Sequence, residues 1–273
     1  MNINKILAVA SYAGQIILES GGETYRVEET ITRICSSYGL QDAESYVTPT
    51  GIICSASNER NDTISIVKRV TNRSVNLERI DLVNDLSRNI EVNKIPVEKL
   101  KDELDIISKS SRYPNYIDVL FSAVAAAGFA FLFGGDIKDV ICSFMIGIVI
   151  KFTANLFGRF NINQFFVNSI CGGISALMAL IFTQFNMGSN LDTIIIGSIM
   201  LLVPGLSITN AIRDTIAGDL ISGLSRAADA FLVAVSIAVG TGSVLSLWMK
   251  YIGGRILLLS KVSLPYLPHS ALA

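Results

Sequence analysis

A set of polar and charged residues follows a Pro-Gly pair in an otherwise apolar stretch of the chain. Residues 201–230 read LLVPGLSITNAIRDTIAGDLISGLSRAADA, with Pro204 and Gly205 directly after an apolar run. The polar residues beyond that pair are Asn210, Arg213, Asp214, Asp219 and Arg226. Their i, i+3 and i, i+4 spacings place Asn210, Arg213 and Asp214 on one helix face, and Ser222 with Arg226 on another.

These side chains are suited to binding a small charged molecule. Arg213 or Arg226 would bind a substrate carboxylate, because a guanidinium donates two parallel hydrogen bonds to it. Asp214 or Asp219 would bind a substrate ammonium or act as the proton-coupling group. The alternative is a kinked helix that leaves the membrane and continues as an ordinary charged loop.

Five apolar segments follow Pro114 and predict five transmembrane helices. They cover roughly 116–134, 137–157, 165–185, 191–212 and 229–249. A helix of about 20 residues, at about 1.5 Å per residue, crosses a hydrocarbon core of about 30 Å. Pro204 lies inside the fourth segment and removes one helical N–H, so we expect this helix to kink or break there. Broken backbone at membrane depth occurs only where protein or a water-filled cavity satisfies it.

The composition divides the chain into a polar part and an apolar part. Of the 273 residues, 51% are hydrophobic and 16% charged, below the roughly 25% charged residues of soluble domains. Most charges lie in residues 1–112, and the net charge of −1 does not favour nucleic-acid binding. We therefore predict a small cytoplasmic α+β domain (1–112), an α-helical bundle of five transmembrane helices (113–250) and a C-terminal tail (251–273).

The distribution of basic residues predicts a cytoplasmic N-terminus in a multi-pass protein of the inner membrane. Residues 5–20 resemble a signal peptide superficially, but Gly21 and Gly22 end the run, and its apolar residues indicate an amphipathic helix of a globular domain. Nine basic residues fall on the predicted inner side: Lys94, Lys99, Lys101, Lys109, Arg112, Lys151, Arg159, Arg213 and Arg226. Four fall outside: Lys138, Lys250, Arg255 and Lys261. Five spans then place the C-terminus outside.

The first domain is predicted to have the order ααββαα. After the first helix, Val27, Ile31 and Ile34 have helical spacing, with Gly39 as a stop. AESYVTPTGIICSAS and DTISIVKRV are typical of two strands, and two further helices follow. The last of these has Pro96 at its start and a core stripe of Val97, Leu100, Leu104 and Ile107.

Two features of this domain are candidates for ligand binding. Arg26 with Glu28 and Glu29 would form an ion-pair cluster that recognises a ligand, or else a solvated helix face with i, i+3 pairs. Thr48 to Gly51 is a turn by its residue types, and its hydroxyls are the second candidate for contacting a carboxylate.

The sequence does not favour an enzyme. The single histidine, His269, is four residues from the C-terminus, and a Walker A pattern is absent, so we expect no histidine triad and no ATP hydrolysis. The four cysteines form no CxxC pair, and we expect neither a metal nor a cofactor. The main alternative to transport is a membrane-anchored ligand sensor or scaffold without transport of its own.

Three blocks of the sequence resemble the threonine/serine exporter family. They are GETYRVEETI at 22–31, TPTGI at 48–52, and PGxxxxNAIRD followed by AGDLISGLSR at 204–226. The resemblance covers roughly residues 10–250. It implies a secondary efflux carrier for small hydrophilic metabolites. It also implies site residues: Pro204, Gly205, Asn210, Arg213, Asp214, Asp219, Gly223 and Arg226 on the membrane motif, and Gly22, Glu23, Arg26, Glu28, Thr48, Pro49, Thr50 and Gly51 on the polar-domain motifs.

Within that family, the chain resembles the larger subunit of a split, two-component branch that is associated with succinate export. Fused members carry a second set of spans, whereas five are predicted here. The resemblance therefore implies a small polytopic membrane partner that supplies the remaining helices, with a homo-oligomer as a further possibility. The implied substrates bear carboxylates, either threonine and serine or a dicarboxylate such as succinate.

Overall fold

The computed structural model describes residues 3–57, 63–110, 113–160 and 162–253. They form two compact units. The polar unit combines residues of 1–112 with 204–230, and the apolar unit combines residues of 113–203 with those from 231 onward. The segment that follows the Pro-Gly pair thus packs with the first part of the chain. The predicted domain limits at 112 and 250 stay a prediction.

The polar unit begins with two amphipathic helices, α1 (Ile3–Glu19) and α2 (Thr24–Ser37). The predicted inner face of α1 is confirmed, because Ile6, Ala10, Ala13 and Ile17 are all buried. In α2 the buried side chains include the predicted Val27, Ile31 and Ile34. Gly39 follows α2 with a φ of 72°, a left-handed conformation that glycine adopts without strain.

Three antiparallel strands follow in the order β1 (Gln41–Thr48), β2 (Gly51–Ser57) and β3 (Thr63–Arg69). The prediction of two strands was wrong in number, because the run 43–57 is a hairpin in which Thr48 pairs with Gly51. Pro49 lacks the N–H that a continuing strand would need, so the chain turns at Pro49-Thr50. The register shifts between Gln41 and Glu44, which is a bulge in β1.

Three helices complete the first part of the chain: α3 (Leu77–Arg88), the single turn α4 (Ile90–Asn93) and α5 (Val97–Lys109). The predicted stripe of α5 is confirmed at Leu100, Leu104 and Ile107, which are buried. Helix α1 packs against α2, α3, α5 and the sheet, and so forms the centre of the polar unit's hydrophobic core.

The apolar unit contains α6 (Asn115–Leu132), α7 (Ile137–Gly158), α8 (Gln164–Gln184) and α9 (Leu191–Ile199). Two more helices follow, α10 (Gly205–Ala217) and α11 (Leu220–Trp248), and a π-helical turn, Met249–Gly253, continues α11. Helix α10 belongs to the polar unit, whereas the residues of α11 from 231 on belong to the apolar unit. Within the described ranges, α6, α7, α8 and the stretch Leu220–Tyr251 are long and apolar enough to span a membrane. The protein is therefore a multi-pass membrane protein.

The fourth predicted span is not a continuous helix. Residues 191–212 are divided between the nine residues of α9 and the first part of α10. The expected break at Pro204 is confirmed, since α9 ends at Ile199 and α10 begins at Gly205. Five continuous transmembrane helices are therefore not confirmed.

Small residues allow helices of the apolar unit to touch along their backbones. A Cβ on Gly147 would lie 2.9 Å from the Cα of Ala123, and one on Gly240 would lie 1.8 Å from the carbonyl oxygen of Ser169. These glycines bring α7 against α6 and α11 against α8.

Two charged groups of the apolar unit have partners within it. Lys151 Nζ lies 2.9 Å from a carboxylate oxygen of Asp118 on α6. The buried Asp139, at the start of α7, accepts hydrogen bonds from the backbone N–H groups of Ser189 and Asn190 at 2.7 and 3.0 Å. Asp139 therefore fastens the loop before α9 to the beginning of α7.

Part of the predicted C-terminal tail, from residue 254 on, lies outside the described residues. Arg255, Lys261 and His269 belong to that part, and Arg112 lies outside the described residues as well.

Candidate functional site

The corner between α10 and α11 positions most of the charged residues that follow the Pro-Gly pair. Helix α10 ends at Ala217 and is capped by Gly218, whose φ of 97° lets the chain reverse. The backbone N–H of Asp219 then donates to the carbonyl of Asp214 at 2.9 Å. A Cβ on Gly223 would lie 2.2 Å from Thr215 Oγ1 and 3.0 Å from the carbonyl of Ala211, so only glycine lets α11 pack this closely on α10.

Asp214 and Arg226 form a buried ion pair across this corner. Arg226 Nε lies 2.9 Å from Asp214 Oδ2, and the two side chains are 6% and 1% exposed. The Nε–H is too poorly aligned to make a hydrogen bond over that distance, so the attraction is mainly that of opposite charges. Arg226 Nη2 also donates to the carbonyl oxygen of Gly22 at 2.8 Å.

The link between α1 and α2, together with the first residue of α2, contacts the same corner. The hydroxyl of Thr24 lies 3.1 Å from Asp214 Oδ1 and 3.4 Å from Asp219 Oδ2, within hydrogen-bonding range of both. Asn210 Nδ2 donates to the carbonyl oxygen of Gly21 at 3.1 Å. Together with the bond from Arg226 to Gly22, these contacts fix the α1–α2 link to α10 and α11.

A second, more exposed group of charges is centred on Glu23. Its carboxylate accepts a hydrogen bond from Arg26 Nε at 2.8 Å and another from Arg213 Nη1. The side chain of Glu23 is 13% exposed, whereas that of Arg213 is 47% exposed. Burial acts to raise the pKa of Glu23, but the hydrogen bond from Arg26 and the charges of both arginines lower it overall.

Glu28 connects these charges to the sheet. Its Oε1 accepts a hydrogen bond from the backbone N–H of Val47 in β1 at 2.9 Å. The hydroxyl of Ser222 on α11 donates to the carbonyl of Val47 at 3.3 Å. Burial raises the pKa of Glu28, and the nearby negative charges of Asp219 and Asp214 raise it further, against the opposing effect of the Val47 hydrogen bond.

The two groups of charges differ in what they can bind. Arg226 is enclosed, and its carboxylate partner is within the protein. Arg213 is exposed, and a guanidinium fork at the surface can exchange one carboxylate for another. Within the described ranges, no three His, Cys, Asp or Glu side chains are arranged to hold a metal ion.

Residues 8–248 match the family of threonine/serine exporters, ThrE. The chain belongs to this family. The match begins in α1 and ends at the last residue of α11, so it includes the described helices of both units.

Relatives of two lengths are similar to the chain. The "Threonine/serine exporter" of Corynebacterium glutamicum is 25% identical over 246 residues, which are 87% of this chain and 50% of that protein. A "Probable threonine/serine exporter" of Mycobacterium tuberculosis is 24% identical, over 88% of this chain and 46% of that protein. The chain thus spans about half the length of these relatives. The "Probable succinate transporter subunit YjjP" of Escherichia coli is 22% identical, over 86% of this chain and 91% of that protein. No solved structure matches the chain.

The structure brings half of the predicted site residues of this ThrE-family chain into one region of the polar unit. These are Glu23, Arg26, Glu28, Asn210, Arg213, Asp214, Asp219 and Arg226. The other eight have structural positions. Pro204 precedes α10 and Gly205 is its first residue, while Gly22 and Gly223 lie at the close contacts described above. Thr48 Oγ1 donates to the carbonyl of Gly51 within the hairpin turn, which also contains Pro49 and the exposed Thr50.

Some residues of this region escaped prediction from the sequence. Thr24 contacts both Asp214 and Asp219, although it lies between the predicted Glu23 and Arg26. Arg73 Nη2 donates to Asp229 Oδ2 at 2.7 Å, which adds an ion pair between the loop after β3 and α11. In the sequence, Thr24 could have been noticed only because it follows the motif residue Glu23. No pattern in the sequence indicated that Arg73 belongs to this region.

Proposed function

We propose that this chain exports small carboxylate-bearing metabolites across the inner membrane, as one subunit of a two-component secondary transporter. The candidate substrates are threonine and serine or a dicarboxylate such as succinate. The observation that carries the proposal is the grouping of the charged residues of α10 and α11 around the α1–α2 link, in a chain of the threonine/serine exporter family. Family membership supports export, and the charges support a carboxylate as the recognised group.

In the proposed mechanism, Arg213 is the residue that binds the substrate carboxylate. Its guanidinium already holds the carboxylate of Glu23, so an arriving substrate replaces one carboxylate by another of the same geometry. Glu23 keeps its hydrogen bond to Arg26 when Arg213 turns away, and it does not become an unpaired charge. The exchange therefore costs little and is reversible.

The buried pair of Asp214 and Arg226 is the proton-coupling element in this proposal. Asp214 takes up the coupling proton, which removes its attraction to Arg226 and loosens the corner between α10 and α11. Asp219 accepts from the same Thr24 hydroxyl and is the alternative proton carrier. Because α11 continues as one helix from Leu220 to Trp248, a displacement at Arg226 would be transmitted into its apolar part.

The lengths of the relatives support a two-component assembly. The chain corresponds to half of the exporters and to nearly the whole of a protein named as a transporter subunit. We infer that a small polytopic membrane protein supplies the remaining helices, with the polar unit on the cytoplasmic side. A second copy of the chain is the other candidate for that role.

Efflux from cells tests the proposal. A strain that lacks the gene is loaded with threonine, serine and succinate, and export of the three is followed together, with and without the restored gene. We expect at least one of them to leave the restored strain faster. Equal export of all three by both strains, with the protein present in the membrane, would contradict the proposal and favour a sensor or scaffold.

A further inference from the structure

A groove of about 670 Å³ lies in the polar unit between α2 and β1. One wall is a single face of α2, with residues spaced three and four apart from Tyr25 to Ser36. The other wall is formed by Ala43, Glu44 and Ser45 of β1. Pockets of several hundred cubic ångströms typically hold small molecules, so the volume is suited to a metabolite.

The backbone of β1 has hydrogen-bonding groups available at this groove. β1 is the edge strand of the sheet, and the N–H and C=O of Val47 point away from β2, since their partners are Glu28 and Ser222. Alternate residues of a strand present their backbone groups to the same side, so Ser45 presents its own towards the groove. The Oγ of Ser45 is also shielded from solvent and has no hydrogen-bond partner in the described part of the chain.

The charges of the groove favour a cation. Three acidic residues, Glu28, Glu29 and Glu44, line the groove together with one basic residue, Arg33, which is already paired with Glu29. Glu28 and Glu44 therefore have no cation among the groove residues. A further carboxylate brought here by an anionic ligand would be repelled, whereas an ammonium would gain charge-assisted hydrogen bonds.

We propose that this groove binds a small molecule with a primary ammonium group, which Glu28 and Glu44 hold against the edge of β1. The site is separate from the one proposed at Arg213, and it does not depend on the chain being a transporter. Its position gives it a route to the buried charges, because Glu28 also holds the Val47 peptide that Ser222 of α11 contacts. Ligand binding at the groove would thus change the contact between the Val47 peptide and Ser222 at the α10–α11 corner.

Binding to the purified full-length protein in detergent, followed by calorimetry, tests this inference without any transport measurement. Three molecules that share a 2-hydroxypropyl unit are compared. L-threonine carries both charged groups, 1-amino-2-propanol lacks the carboxylate, and 3-hydroxybutyrate lacks the amine. The Arg213→Gln variant is measured beside the wild type, because the proposed site at Arg213 would itself bind carboxylates. In that variant we expect the two amines to bind and 3-hydroxybutyrate and succinate not to bind.

Variants connect the binding to the groove. Glu28→Gln keeps an acceptor for the Val47 N–H but removes the charge, and Glu44→Gln removes the other charge. Each is expected to weaken amine binding by about tenfold or more, while Glu91→Gln, on the exposed surface of α4, leaves it unchanged. Three outcomes would overturn the inference: binding of 3-hydroxybutyrate to the Arg213→Gln variant as tight as that of the amines, no binding of either amine at millimolar concentration, or equal amine affinities of Glu28→Gln, Glu44→Gln and Glu91→Gln.

Discussion

Asp214 and Arg226 lie on consecutive helices, and their charges meet 2.9 Å apart in an almost water-free position. The same guanidinium donates to the carbonyl of Gly22, so one side chain joins α10, α11 and the α1–α2 link. Taking two charges out of water is costly, and their attraction repays that cost only while both are present. The pair therefore makes the corner sensitive to the charge state of either residue.

The first prediction is that removal of one charge destabilises the protein strongly. Asp214→Asn leaves the buried charge of Arg226 without its partner, and Arg226→Met does the same to Asp214. Such changes lower the free energy of unfolding by roughly 3–5 kcal/mol. Thermal unfolding of the purified protein in detergent should show a clearly lower melting temperature for each variant.

The double variant Asp214→Leu with Arg226→Met is the control for this prediction. It removes both charges, and it should recover much of the stability that each single variant loses. A single variant that melts at the wild-type temperature would show that the pair contributes nothing to folding. Recovery of stability without recovery of efflux would be expected if Asp214 also carries the coupling proton.

The second prediction separates Arg213 from the buried pair. Arg213→Lys keeps the positive charge at a half-exposed position, so the melting temperature should stay nearly unchanged. Lysine lacks the planar fork that binds a carboxylate through two hydrogen bonds, so initial efflux rates should fall by about tenfold. Arg88→Lys, at an exposed position of α3, is the matched control. Efflux at the wild-type rate from Arg213→Lys would mean that the Arg213–Glu23 contact is an ordinary surface ion pair with no role in transport.

The third prediction uses the opposite pKa shifts of two neighbouring carboxyl groups. The pKa of Glu23 is lowered from 4.5, so its ionised form stabilises the fold above that pH, and this contribution is lost as the pH falls through its folded pKa. The pKa of Glu28 is raised from 4.5, so its contribution is present below that pH and is lost as the pH rises through its folded pKa.

Melting temperatures of Glu23→Gln and Glu28→Gln, measured from pH 7 down to pH 4, check these signs. At pH 7, Glu23→Gln should be less stable than the wild type by about 1 kcal/mol, and Glu28→Gln should be more stable. Both differences should shrink on acidification. The same sign of change in both variants at pH 7 would contradict the assigned shifts.

The fourth prediction concerns two glycines of α11 that are two residues apart. Gly240→Ala places a Cβ on the carbonyl of Ser169, so α8 and α11 must separate, and the melting temperature should fall. A Cβ at Gly242 would meet nothing within 4 Å, so Gly242→Ala should leave the melting temperature unchanged or raise it slightly. Equal effects of the two variants would mean that α8 and α11 do not pack along Gly240.

Periodicity predicted most of the fold and one feature of the site. The apolar stripes of α1, α2 and α5 followed from residue spacing, because one face of each helix is buried. The four long apolar helices followed from apolar runs of about 20 residues. The break at Pro204 followed from a missing N–H. The hairpin inside 43–57 did not follow, since TPTG was interpreted as a turn between pieces of one strand.

The grouping of the charges was beyond local reasoning. Glu23 and Arg213 are 190 residues apart in the chain and hydrogen-bonded in the fold, and only tertiary packing brings them together. The sequence placed Arg213 and Asp214 on one helix face, whereas in the fold Arg213 pairs with Glu23 and Asp214 pairs with Arg226. Helical spacing gives the face of a residue but not which element covers that face.

The last prediction concerns topology: the N-terminus is cytoplasmic, and the C-terminus is outside. Five crossings are needed for this, so the broken run 191–212 must cross the membrane although it is not one helix. Single cysteines at Ser57 and Ser270 are labelled in intact cells with a maleimide that does not cross membranes. The native thiols give little background, because all four are buried and burial raises the pKa of Cys35 to about 12 and that of Cys54 to about 11. We expect labelling at Ser270→Cys and none at Ser57→Cys until the cells are permeabilised. Protection of both positions would mean an even number of crossings, in which the run 191–212 enters and leaves the membrane on one side. Labelling of Ser57→Cys in intact cells would mean that the predicted orientation is reversed.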